Sequence, residues 1–146
     1  MSVQFGWYIP ERVIYVNFYN RIRMRDYKKL HEGITEMLAV DRTQPIHIIQ
    51  DESNIKSIEP DVSNVYKDNV IAQGKVKGAI VTIGIHKSHP VMSFISSVLA
   101  KIGHSTYKRF RTCEEAEEYL VSIDPTLDFS QAARNHLEMT YTANTQ

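Results

Sequence analysis

Two short polar segments carry the side chains best suited to chemistry. Asp51 and Ser53 belong to the first, and His86, Ser88 and His89 belong to the second. Each segment follows an apolar run typical of a buried strand. Because open α/β sheets bind ligands outside the carboxyl ends of their parallel strands, these five residues form a candidate ligand edge.

Three kinds of chemistry fit this candidate ligand edge. A serine made nucleophilic by a histidine, itself oriented by Asp51, would suit a hydrolase, because the hydroxyl must lose its proton to a positioned base. His86 and His89 with Asp51 would offer three ligands to a metal ion, whereas a structural zinc site takes four. Lys87 and the backbone N–H groups that open the next helix could instead hold a small anion or nucleotide.

A structural interpretation of the same residues is favoured over all three. Ser88 or His89 would cap the following helix, and the other side chains would be solvated. Neither Ser53 nor Ser88 lies in a G-x-S-x-G sequence, and no glycine-rich phosphate loop is present. The sequence therefore predicts no metal and no cofactor. It favours a non-enzymatic protein, with a small-molecule or anion-binding protein, or a hydrolase-like enzyme, as the alternative.

Composition narrows the class of protein further. The 146 residues carry 17 basic and 17 acidic side chains, so the chain lacks the positive charge of a dedicated nucleic-acid binder. Basic residues cluster at 21–29 and 108–111 and acidic residues at 114–118. We interpret them as solvated faces, with charge complementarity between subunits or partners as the alternative.

The single cysteine, Cys113, and the lack of a signal peptide or a transmembrane run predict a cytoplasmic protein.

The elements that must position the candidate ligand edge alternate between strands and helices. Period-two and apolar segments predict strands at 3–9, 12–19, 46–51, 78–85 and 105–111, the first two joined by a turn at Pro10-Glu11. Helical spacing predicts helices at 24–39, 60–72 and 91–102, and the capping box at 112–115 opens a fourth. The segment 52–57 is predicted to be a loop.

This order predicts an α/β fold: an open, mostly parallel β-sheet with an N-terminal β-hairpin and flanking helices. Residues 1–127 are expected to form the domain. Residues 128–146 would be a C-terminal extension, a short helix followed by a mobile tail.

The predicted helix 91–102 is the main candidate for contact with another protein. Its apolar arc is wider than the single stripe that a surface helix needs, so it is either deeply buried or part of an interface. Met92, Phe94 and Val98 are its candidate interface residues. The expected partner is another protein or a second copy in a homodimer.

The chain resembles the STAS or SpoIIAA-like family of anti-sigma-factor antagonists, and its uncharacterised bacterial members in particular. The resemblance rests on the opening WYIPERVI at 7–14 and on the segment HIIQDESNIKSIEP at 47–60. It implies a SpoIIAA-like fold and a regulatory or protein-interaction role. Antagonists carry a phosphorylatable serine in an Asp-Ser-Ser-Gly type sequence, where this chain has residues 58–61. Among the nearest serines, Ser57 is the candidate phosphoacceptor.

Overall fold

The protein is described here by a computed structural model that covers residues 2–40, 43–59, 62, 77–84 and 107–133. Its strands are β1 (Val3–Ile9), β2 (Val13–Ile22), β3 (His47–Ile58), β4 (Ile80–Ile83) and β5 (Tyr107–Phe110). Its helices are α1 (Met24–Leu38) and α2 (Cys113–Ile123), followed by a short 3-10 turn at Phe129–Gln131.

The five strands form one sheet in the order β1-β2-β3-β4-β5. β1 and β2 pair antiparallel as a hairpin, and every later pairing is parallel. Each parallel strand must be reached by a crossover connection. The predicted open, mostly parallel sheet with an N-terminal hairpin is confirmed.

Alternation along the strands separates two hydrophobic cores. In β2, Ile14 and Val16 face a first core that includes the buried side of α1. Val13 and Tyr15, on the other face, belong to a second core that includes α2. The sheet therefore lies between α1 and α2, each burying an apolar stripe against it.

A β-bulge interrupts this alternation in β1. The register shifts between Trp7 and Ile9, so Trp7 packs against the first core whereas Tyr8 and Ile9 both lie in the second. A strand of period two would place Val3, Phe5, Trp7 and Ile9 on one face, and the extra residue of the bulge removes Ile9 from it. The predicted turn follows, with Arg12 N donating to Ile9 O over 3.0 Å.

The third strand is longer than the sequence predicted. Residues 52–57 were expected to be a loop, but β3 continues through them to Ile58. β2 extends alongside it, so Asn20 pairs with Ile55 and Ile22 with Ile58. Ile55 and Ile58 pack against the first core while Lys56 is exposed. The loop prediction is wrong because this polar segment still carries apolar side chains for which the long β2 provides a pairing partner.

The helical predictions have mixed outcomes. The stripe of α1 is buried as expected, and the Thr112 hydroxyl caps α2 by accepting a hydrogen bond from Glu115 N over 3.2 Å. Of the predicted helix 60–72, only Val62 is described, and it is helical and fully buried. The predicted helix 91–102 and the tail from 134 onward lie outside the described residues. Among the helices that are described, none is long and apolar enough to cross a membrane.

Candidate functional site

Asp51 holds the described part of the candidate ligand edge together. Its Oδ1 accepts hydrogen bonds from the Ser53 backbone N–H at 3.0 Å and from Ser53 Oγ at 2.5 Å. Its Oδ2 accepts a bond from the Tyr15 hydroxyl at 3.1 Å. The hydroxyl proton of Ser53 is therefore directed at a carboxylate two residues away, in a local side-chain-to-backbone motif that lies within β3.

The same local geometry recurs twice elsewhere in the chain. Asp128 accepts from Ser130 N at 3.0 Å and from Ser130 Oγ at 2.6 Å. Asp124 accepts from Thr126 N at 3.3 Å and from Thr126 Oγ1 at 2.5 Å. A hydroxyl that bonds the Asp two positions before it is thus a repeated structural motif of this protein.

Gly84 brings the end of β4 against this motif. Its φ of 103° lies in the left-handed region that disfavours a side chain, and a Cβ on Gly84 would lie 2.8 Å from both the backbone N and the Oγ of Ser53. Gly84 N also donates to Phe110 O of β5 over 3.1 Å. The carboxyl ends of β4 and β5 therefore lie beside the middle of β3, which continues past this point to Ile58, so Asp51 and Ser53 are not at the end of their own strand as predicted.

The other predicted site residues divide between two groups. Ser57 lies in β3, half-buried, with its Oγ accepting a hydrogen bond from Arg21 Nη1 at 3.4 Å. The candidates that lie outside the described residues, and so stay predictions, are His86, Ser88, His89, Met92, Phe94 and Val98. Within the described ranges, no group of three or more His, Cys, Asp or Glu residues could hold a metal ion.

A second polar cluster lies beneath α2. The Tyr8 hydroxyl donates to Glu117 Oε2 at 2.5 Å, and Cys113 Sγ donates to the same oxygen at 3.4 Å. The ring centroid of Tyr8 is 5.1 Å from that of Tyr15. Burial above all, reinforced by the neighbouring Glu117 and Glu114, raises the pKa of Cys113 to about 12. The thiol is therefore protonated at neutral pH and is a poor nucleophile.

Glu117 is a residue whose burial the sequence analysis missed. It was grouped with the solvated acidic residues 114–118, but it is buried and faces Tyr8. The usable signal was its position one helical turn after Cys113 and next to Ala116, on the inward side of α2. Residue type had suggested solvent, and the Tyr8 hydroxyl is what makes burial tolerable.

On the opposite face of the sheet, Glu52 pairs with Arg109. Glu52 is fully buried, and its Oε1 accepts a hydrogen bond from Arg109 Nη2 at 3.2 Å. Burial raises the pKa of Glu52, and the nearby Arg109 charge opposes that rise. This ion pair joins β3 to β5 across β4, and it gives the sheet a charged layer beside the candidate ligand edge.

At the other end of the sheet, His47 is a buried structural residue. Its Nδ1 accepts a hydrogen bond from Ala79 N at 2.9 Å, so the proton of the neutral ring lies on Nε2. Nε2 then donates to Asp124 Oδ2 at 2.9 Å, and Arg12 Nη2 donates to that same oxygen at 2.5 Å. These groups lie at the amino ends of the parallel strands, away from the candidate ligand edge.

The hairpin, the parallel strands in chain order and the helices on both faces define a SpoIIAA-like α/β fold. No protein-family model matches the chain, and no curated protein matches it. Among the solved structures that share the fold are the following two. One is an uncharacterised DUF3478-family protein with a SpoIIAA-like fold from Shewanella loihica PV-4. It has a TM-score of 0.62 and 15% identity, with 82% of this chain and 94% of that chain covered.

The second structure is the anti-sigma factor antagonist SpoIIAA in its unphosphorylated form. It has a TM-score of 0.56 and 9% identity, and the match covers 87% of this chain and all of that chain (100%). Likeness at these identities shows the fold alone, so the resemblance noted in the sequence is confirmed for architecture. Activity must be argued from the side chains of this chain.

Proposed function

We propose that this protein is a non-enzymatic regulatory module that acts by binding another protein, or a second copy of itself. The observation that carries the proposal is the Asp51–Ser53 motif. Its recurrence at Asp128–Ser130 marks it as local structure, although it lies beside the carboxyl end of β4, at the kind of edge where an open parallel sheet binds ligands. The shared fold with an anti-sigma factor antagonist supports a role in protein contact.

Two further observations support a non-enzymatic role. Cys113 is held protonated by its surroundings, so it does not supply a reactive thiolate. His47 has hydrogen bonds at both ring nitrogens, which leaves neither free to take a proton from a substrate. A cytoplasmic location, which we also propose, accords with a chain that contains one cysteine.

Native mass spectrometry of freshly purified protein tests this proposal. We expect homo-oligomers or a co-purified protein, with no small ligand retained. The Phe94→Glu variant should lose the complex if the predicted helix 91–102 forms the contact, while circular dichroism shows an intact fold.

A small-molecule or hydrolytic function makes the opposite prediction. Wild type should then retain a small ligand or hydrolyse a member of a panel of aryl esters. Ser53→Ala should lose that binding or activity, and Ser130→Ala should keep it. Ser130 is the matched control because it makes the same bond to an Asp two residues earlier. Selective loss in Ser53→Ala would overturn the non-enzymatic proposal.

A further inference from the structure

Four exposed cations surround the start of α1. Arg21, Arg23, Arg25 and Lys28 line two adjoining hollows of about 170 and 390 Å³. In the part of the chain that the structure describes, no carboxylate forms an ion pair with any of the four. The amino end of α1 adds the positive end of its helix dipole. We call these four residues the basic surface.

The acidic side chains that line these hollows compensate the cations only partly. Asp26 is buried and accepts a hydrogen bond from Ser2 Oγ at 2.6 Å, so its carboxylate is turned into the protein. Glu59 lines the larger hollow and is half-buried. The basic surface therefore has a positive excess within a concave region, which suits a convex acidic element.

The first turns of α2 provide such an element in the same chain. Glu114, Glu115 and Glu118 are exposed on its outer side. Val121, one turn after Glu118, is 39% exposed and would add apolar contact. Arg111, exposed just before the helix, could meet Glu59 of another copy. We call the three glutamates the acidic face.

The two charged surfaces lie on opposite sides of the sheet, because α1 packs on the first core and α2 on the second. A contact that joins one surface to the other is heterologous, and heterologous contacts repeat along open chains unless the rotation closes a ring.

We propose that copies of this protein associate head to tail, with the acidic face of one copy docked on the basic surface of the next. The inference rests on the proposed function, since it names the partner of the module as a second copy. The inference is supported by the complementary charge and shape of the acidic face and the basic surface. Exposed ion pairs are individually weak, so the association should be reversible and should weaken as salt screens the charges.

Other occupants of the basic surface fit less well. A nucleic acid would have to be held by four cations on a chain of zero net charge. A membrane surface would favour apolar side chains beside the cations. Among the described residues, the large exposed apolar side chains are Val40, Val121 and Ile123, and none of them lines the two hollows.

Sedimentation velocity over a concentration series tests the inference with two charge reversals. Wild type should form species larger than a dimer at low salt, and its association should weaken about tenfold or more between 50 and 500 mM salt as the screening length shortens. Arg25→Glu and Glu118→Lys should each be monomeric. Lys77→Glu is the matched control, because Lys77 is exposed just before β4 at the other end of the sheet, and it should associate like wild type.

Mixing the two charge-reversed proteins gives the decisive result. Arg25→Glu keeps the acidic face and Glu118→Lys keeps the basic surface, and the two reversed charges are again opposite to each other, so an equimolar mixture should associate although neither variant does so alone. No association in the mixture, or a wild type that is monomeric at every salt concentration, would overturn the inference.

Two other results identify a different occupant. In the first, wild type is monomeric and binds duplex DNA or anionic vesicles, and Arg25→Glu loses that binding. This result would assign the basic surface to that ligand and overturn the inference. A monomeric wild type that still holds a different protein in native mass spectrometry would overturn the inference and leave the proposed function intact.

Discussion

The hydrogen bonds of His47 link three separate segments of the chain. Its ring connects the backbone of Ala79 to the Asp124 carboxylate, which also binds Arg12. Burial alone would raise the pKa of Asp124. Hydrogen bonds from His47 and Thr126, together with the Arg12 charge, hold that pKa below its ordinary value. A carboxyl group whose pKa is lower in the folded than in the unfolded chain stabilises the fold above its unfolded pKa of about 3.9.

Replacing Asp124 with Asn should expose this contribution. We expect Asp124→Asn to lower the free energy of unfolding by about 1–3 kcal/mol at pH 7, because charge-assisted hydrogen bonds are lost. The difference from wild type should shrink as pH falls below about 3.9, because the unfolded chain then takes up a proton at Asp124 and folding must release it, and it should vanish below the lowered pKa of the folded protein. Urea unfolding at several pH values measures this. Glu118→Gln, which removes an exposed carboxylate, should change little, and equal losses in both variants would contradict the prediction.

The Glu52–Arg109 pair makes a second prediction at the residue scale. Arg109→Met should cost about 3–5 kcal/mol, because it leaves a buried carboxylate without its counter-charge. The double variant with Glu52→Gln should recover part of that loss. Because burial raises the pKa of Glu52 in the folded protein, the single variant should gain stability as pH falls and Glu52 takes up a proton. Additive losses in the double variant, measured by thermal melting, would contradict this account.

At the scale of elements, α1 approaches β1 so closely that only glycine fits between them. A Cβ on Gly33 would lie 2.3 Å from Cε2 and Cζ of Phe5, whose ring is almost fully buried. Glycine in a helix interior is normally destabilising relative to alanine by about 1 kcal/mol. Here the packing requirement opposes that propensity.

Gly33→Ala should therefore destabilise the protein despite improving helix propensity. We expect a loss of about 1–3 kcal/mol, typical of overpacking a buried site. Glu32→Ala, an exposed change on the same helix, should stay within about 0.5 kcal/mol of wild type. In a Phe5→Leu background the cost of Gly33→Ala should fall, since the smaller side chain leaves room. Denaturant unfolding of wild type, Gly33→Ala, Phe5→Leu and the double variant gives the coupling, and a stabilising Gly33→Ala would disprove the close contact.

The elements also show what a single sequence can predict. Periodicity predicted β1, α1 and the capped start of α2 within a few residues, because each element has one solvated and one buried side. It did not predict the second half of β3, because its pairing depends on how far β2 extends, a non-local property. At the candidate ligand edge the proximity of Asp51 and Ser53 followed from their spacing. The packing of Gly84 against Ser53 depended on strand register, which residue types do not reveal.

For the whole molecule, spatial order follows chain order, so the middle strands have two neighbours each. β2, β3 and β4 are flanked on both sides, whereas β1 and β5 are the outer members of the described sheet. Amide exchange in the sheet centre then requires global unfolding, and exchange at the edges can follow local opening.

Hydrogen exchange should reproduce this order. We expect the amides of Tyr15, Ile49 and Val81 to be the slowest, because their strands are central and their side chains are buried. Amides of Lys108 and of β1 should exchange faster and depend less on denaturant. Two-dimensional NMR after transfer to D₂O would measure both sets. Equal protection of Lys108 and Val81 would contradict the described sheet order.

The bulge in β1 has a practical consequence for following this protein in solution. Trp7 is the single tryptophan of the chain, and it packs on the α1 side, whereas the next residue, Tyr8, packs on the α2 side. Tryptophan emission therefore monitors one core alone. The Tyr8–Tyr15 pair should contribute near-ultraviolet circular dichroism from the other. Two optical signals on adjacent residues can thus reveal whether the two cores come apart together or one after the other.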